Sequence, residues 1–154
     1  MKILFICSSN ICRSPYCEYV FKKMIKENPA LAEIVSDVKS SAVFNKSFTI
    51  HPKARLSLLR EGFTEEEIKA HRPTFKWSDK QRFDDADVII GMTKSNKIFL
   101  PRRYWDKFIT LSEAATGEYI SVEDPYLLRD IEKYYKVMDK LKLYLEKYAE
   151  KLIQ

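Results

Sequence analysis

Residues able to do nucleophilic and anion chemistry crowd into one short stretch. Cys7 ends the apolar run Ile3 to Ile6 and is followed by Ser8, Ser9, Asn10, Ile11 and Cys12, then by Arg13, Ser14 and Pro15. A thiolate is a strong nucleophile and is favoured beside a cation and a helix N-terminus. If the loop from Ser8 to Ser14 curls round, its backbone N–H groups converge on one point, and Arg13 can grip two oxygens of a phosphate or arsenate with its planar fork. Asn10 tolerates the left-handed backbone such a curl needs. Ser14, one past the arginine, can donate its hydroxyl to the thiolate. A lone cysteine at a strand end is more often an inert packed residue. Cysteine with Arg-Ser six positions on, between a strand and a helix, is a different matter.

The elements that must position these residues are legible in the spacing. Lys2 to Ile6 reads as a short buried strand, and the segment after Pro15 as a helix with Val20, Met24 and the pair Phe21/Ile25 at helical intervals. Pro15 suits the first helical position, with Ser14 as its cap. Further along come a strand over Ile34 to Ser40, a helix over His51 to Glu61 ending at Gly62, and a short helix over Ser78 to Phe83. Val88 to Met92 is a wholly apolar strand, Thr93 to Leu100 a helix stopped by Pro101, and Lys107 to Leu111 a fourth strand. From Leu127 onward Ile131, Tyr134, Met138, Leu141, Leu145, Tyr148 and Leu152 keep steps of three or four, the mark of a long amphipathic helix. Strands alternating with helices predict an α/β fold: a parallel sheet with helices on both faces and ligands at the carboxyl ends of the strands. Cys7 lies at such an end.

Length and composition narrow the class. A chain of 154 residues, 45% hydrophobic and 32% charged, with three glycines, fits a single globular domain over 1–154. The apolar start is too short for a signal peptide, whose apolar region runs about 7–15 residues, and no later stretch reaches membrane-spanning length. Three cysteines within eleven residues, at 7, 12 and 17, make no secreted disulfide framework. A cytoplasmic protein with reduced thiols and no membrane partner is expected. The net charge of +5 is scattered along the chain and accompanies no nucleic-acid recognition motif. Two histidines and no His/Asp/Cys cluster predict no metal and no cofactor.

The stretch Cys7 to Pro15 closely resembles the phosphate loop of the low-molecular-weight protein tyrosine phosphatases, with pattern C-x-G-N-x-C-R-S-P. Glu123-Asp124-Pro125-Tyr126 is similar to that family's D-P-Y segment, and Met92-Thr93-Lys94-Ser95-Asn96 to its M-D-x-S-N segment. The resemblance implies a phosphotyrosine phosphatase I-like fold, with a central four-stranded parallel sheet in the order 2-1-3-4. It further implies hydrolysis of phosphotyrosine and small aryl phosphates through a cysteinyl-phosphate. Cys7 would be the nucleophile, Arg13 the phosphate clamp and Asp124 the general acid and base. Ser8, Ser9, Asn10, Ile11, Cys12, Arg13 and Ser14 would bind phosphate, with Ser41 and His71 supporting the loop. Ile11, Phe44, Phe48 and Tyr126 would wall the cleft. Tyrosine-phosphorylated proteins would be the partners, a cognate tyrosine kinase among them.

Two departures stand out. Ser9 replaces the family glycine, which predicts strain of about 1–3 kcal/mol if the position needs positive φ. Thr93 replaces an aspartate and removes its carboxylate. Rival readings are a protein-arginine phosphatase, which resembles this loop with threonine where Ile11 stands, and a weakly active phosphotyrosine-binding module. Arsenate reduction lacks its relay, because no cysteine follows Cys17. Cys12 inside the loop is a partner for a reversible disulfide with Cys7, and Cys17 reads as core filling.

Overall fold

The computed structural model describes residues 1–154. Four strands, β1 (Lys2–Cys7), β2 (Asp37–Ala42), β3 (Val88–Gly91) and β4 (Phe108–Thr110), form one sheet in the order β2-β1-β3-β4. Every pairing is parallel. The helices are α1 (Arg13–Glu27), α2 (Pro29–Ile34), α3 (Pro52–Arg60), α4 (Glu65–Lys69), α5 (Lys80–Asp85), α6 (Ser95–Ile98), α7 (Leu111–Thr116) and α8 (Ile131–Ile153). None is long and apolar enough to cross a membrane.

Successive side chains of a strand point to opposite faces, and β1 shows what that does. Ile3, Phe5 and Cys7 enter the core shared with Phe21 of α1 and Met138 and Leu141 of α8. Leu4 and Ile6 face the other way, onto Val43, Phe83, Ile89, Leu100 and Tyr104. Both faces are thus apolar, and the strand reads as a continuous apolar run. Each such side chain, fully buried, contributes about 1.5–3 kcal/mol. Between β3 and β4 the backbone at Gly91 passes so close to Phe108 that a Cβ there would lie 2.6 Å from the ring.

The elements agree with the periodicity in type and differ at their ends. α1 begins at Arg13, two residues before Pro15, and Ser14 is not its cap; Cys12 occupies the cap position with no side-chain bond to the helix. β2 starts at Asp37 because Ile34 ends α2, a short helix capped by the Asn28 side chain. α4 is held by a reciprocal capping box between Thr64 and Glu67. The expected helix after Thr93 shrinks to Ser95–Ile98, and the long C-terminal helix starts at Ile131, capped by Asp130. Leu127 belongs instead to a 3-10 turn over Pro125–Leu127.

Candidate active site

The loop after β1 carries Cys7 into the N-terminus of α1. Asn10 adopts φ 59°, the only positive φ outside glycine. Buried side chains lock this turn. Asn10 Nδ2 donates to Ser14 Oγ and to Ser40 Oγ, each at 2.9 Å. Its Oδ1 accepts the Thr74 N–H at 3.1 Å. Its carbonyl oxygen can only accept, so His71 Nε2, 2.9 Å away, carries the hydrogen. Ser40 Oγ in turn donates to Glu18 Oε1 at 2.5 Å, and Glu18 Oε2 receives Lys22 Nζ at 2.6 Å. Burial pushes the His71 pKa below the usual histidine value.

Cys7 Sγ lies 3.0 Å from Ser14 Oγ. The first turn of α1 holds no acidic residue and no side-chain cap, so its amides and its positive end remain open to an anion. Arg13 is 3% exposed. Its Nη1 is tied to the Val122 carbonyl at 2.8 Å, and its Nη2 lies 3.6 Å from Asp124 Oδ2. Nε is buried with no partner at all. An unpaired buried guanidinium N–H costs free energy unless something accepts from it, and the edge formed by Nε and Nη2 suits an oxyanion.

Asp124 and Tyr126 come from the far end of the chain to line the same cup as Cys7, Ser8, Ser9, Ile11, Cys12 and Arg13. Asp124 caps the 3-10 turn, its Oδ1 accepting the Tyr126 N–H at 3.1 Å, while Oδ2 faces Arg13. A nucleophilic sulfur, an oxyanion cradle and a carboxyl at its rim are the parts needed to transfer a phosphoryl group and protonate its leaving oxygen.

The model of the low molecular weight phosphotyrosine protein phosphatase family matches residues 2–154. The chain belongs to that family. It is 31% identical over 158 residues to a protein-arginine-phosphatase of Bacillus subtilis, covering 99% of this chain and 97% of the relative. Among solved structures, the YwlE arginine phosphatase, in a mutant with a phosphorylated active-site serine, superposes with TM-score 0.84 at 29% identity, covering 99% of this chain and 95% of the other. A low molecular weight protein tyrosine phosphatase from T. tengcongensis gives TM-score 0.81 at 30% identity, covering 98% and 99%. The protein is therefore a phosphatase, a hydrolase of the low-molecular-weight class.

Against the family pattern several expectations change. Ser9 does not take positive φ, so the loop carries no strain there; its hydroxyl donates to Asn45 instead. Ser41 is not a loop support. It pairs in register with Ile6, whereas Ser40 pairs with Phe5, so Ser40 shares the α1 face with Asn10 and Ser41 points away, its hydroxyl donating to the Ala42 carbonyl. Ser40 and Glu18 were invisible as site residues, since Glu18 reads as half of an ordinary i,i+4 pair with Lys22. Asn96 Oδ1 accepts the Met92 and Thr93 N–H groups, at 2.8 and 3.2 Å, and holds that turn without the aspartate Thr93 replaces.

The cleft walls are uneven. Ile11 and Tyr126 line the cup. Phe44 does not, but its N–H donates to the Ser8 carbonyl and its ring meets Phe99 edge-on at 4.8 Å, so it stands beside the loop. Phe48 is 80% exposed and outside the cup. Cys12 packs against Tyr134, and burial pushes its thiol up to about 12. Cys17 is fully buried in the core.

Proposed function

We propose that the protein is a protein tyrosine phosphatase working through a cysteinyl-phosphate. The Cys7 thiolate attacks phosphorus while the bond to the phenolic oxygen breaks, and Asp124 gives that oxygen its proton. Asp124 then takes a proton from water, the resulting hydroxide attacks phosphorus, the S–P bond breaks, and orthophosphate leaves with the thiolate restored. Arg13 and the loop amides hold the equatorial oxygens throughout. The serine phosphorylated in the YwlE mutant supports a covalent route in that relative. Tyrosine-phosphorylated proteins in the cytoplasm, a cognate tyrosine kinase among them, are the intended substrates.

The observation that carries the tyrosine reading is Ile11 in the cup wall with Tyr126 beside it. A bulky aliphatic and an aromatic suit a flat phenyl ring better than a guanidinium, which needs polar partners. Arginine dephosphorylation is the second reading, favoured by the relative of that activity at 31% identity. Turnover of matched phosphotyrosine and phosphoarginine peptides by wild type and Ile11→Thr decides between them. The expected outcome is kcat/KM at least about tenfold higher on phosphotyrosine for wild type, reflecting roughly 1–3 kcal/mol of wall complementarity. Ile11→Thr should narrow the gap. A wild-type preference for phosphoarginine would reverse the assignment.

A further inference from the structure

His51 precedes the first helical proline of α3 and has no place in the chemistry so far. Yet it is attached on four sides. Its backbone N–H donates to the Ile11 carbonyl of the phosphate loop at 3.0 Å. Its Nδ1 accepts the Lys53 N–H at 3.1 Å and so caps α3. Its ring lies nearly parallel to that of Tyr134 on α8, with centroids 5.8 Å apart and planes at 13°. It also meets the Tyr126 ring, edge to face, at 5.4 Å and 66°.

The result is an aromatic column, Tyr134–His51–Tyr126, that begins in the core and ends in the cup. Tyr134 is fully buried and cannot move without disturbing α8. Tyr126, 53% exposed, has no other aromatic neighbour. The bonds within its own turn, Tyr126 N–H to Asp124 Oδ1 and Leu128 N–H to the Pro125 carbonyl, shape the turn without anchoring it. The segment is held at its ends by the Arg13 Nη1 bond to the Val122 carbonyl at 2.8 Å, the Val122 N–H to Met92 carbonyl bond at 3.4 Å and the packing of Val122, Pro125 and Leu128. Asp124 is held by its pair with Arg13 at 3.6 Å; for the Tyr126 ring itself the column is the aromatic support.

We propose that His51 is a positioning residue whose ring, braced on Tyr134, fixes Tyr126 and with it Asp124 over the phosphate loop. Its two functions use different atoms. The cap needs only an acceptor at Nδ1, whereas positioning needs only the flat ring. Asparagine supplies the first without the second, since it is a good cap, and phenylalanine the second without the first. The catalytic consequence rests on the reading of Tyr126 as a wall and Asp124 as the acid; the ordering of the turn does not.

Three proteins, wild type, His51→Asn and His51→Phe, are compared by amide hydrogen exchange over 124–127 and by steady-state hydrolysis of phenyl phosphate. In His51→Asn, exchange should quicken several-fold and KM should rise about two- to tenfold, the scale of one aromatic pair. Inhibition by inorganic phosphate, which needs only the loop, should hold. His51→Phe should recover most of both losses while melting at a lower temperature for want of the cap. Unchanged exchange in His51→Asn overturns the proposal, as does a His51→Phe protein no better than His51→Asn. Faster exchange with unchanged kinetics supports the positioning role and removes instead the reading of Tyr126 as a wall.

Discussion

Asn10 Nδ2 donates to Ser14 Oγ over 2.9 Å, so the Ser14 hydrogen is not spent on Asn10. A Cys7 thiolate has no hydrogen and can only accept, so in the nucleophilic form the Ser14 hydroxyl donates to Sγ, 3.0 Å away. A hydrogen bond to a charged group is worth about 1.5–3 kcal/mol. Ser14→Ala should therefore lower kcat by roughly tenfold or more with little change in KM, measured on p-nitrophenyl phosphate. An unaltered kcat would leave Ser14 a packing residue.

Replacing the nucleophile separates binding from chemistry. Cys7→Ser should lose turnover, because a serine hydroxyl is a weak nucleophile near neutral pH and an alkoxide leaves phosphorus far less readily than a thiolate. Phosphate or vanadate should still bind with affinity within about tenfold of wild type, since the Arg13 edge and the α1 amides remain. Calorimetric titration with inorganic phosphate measures this directly. Steady-state hydrolysis near the wild-type rate would sink the nucleophile assignment.

Asp124→Asn tests the proton donor. Loss should be about 10²–10⁴-fold for phenyl phosphate, whose leaving oxygen needs a proton. For p-nitrophenyl phosphate, whose leaving group is already a stable anion, the loss should be much smaller. A plot of log kcat against leaving-group pKa should steepen accordingly. If every ester loses the same factor, Asp124 serves to hold Arg13 rather than to move a proton.

Both histidines should make the fold acid-sensitive. Burial lowers the His71 pKa below the ordinary 6.5, and burial with Lys53 does the same to His51. The unfolded chain then binds more protons than the folded one below about pH 6.5, so stability rises with pH in that window. Their contribution is complete above 6.5 and is lost as pH falls from there through the lower folded values. Urea midpoints between about pH 7.5 and 5.5 should fall on acidification, and His71→Gln should flatten the slope. An equal slope in that variant would assign the acid sensitivity to carboxylates.

The sequence by itself determined the strand-loop-helix around Cys7, the alternation of strands and helices, the place of Arg13 in the loop and the left-handed turn at Asn10, while Asp124 was legible only through the resemblance of Glu123 to Tyr126 to the family's D-P-Y segment. The local features follow from local chemistry: an apolar run long enough for one strand, a residue able to take positive φ, and a fork of donors six positions after a thiol. What the tertiary structure decided depends on which face a residue takes and on what arrives there from elsewhere. Ser40 rather than Ser41 supports the loop because a one-residue shift along a strand reverses the direction of the side chain, and only the register of Phe5 with Ser40 settles it. Glu18 is a site residue because β2 lies against α1, and His51 because α8 brings Tyr134 beneath its ring. Arg13 is held by the Val122 carbonyl, a backbone group that no residue type announces. Long-range packing is the physical origin of each of these, and a linear pattern carries no record of it.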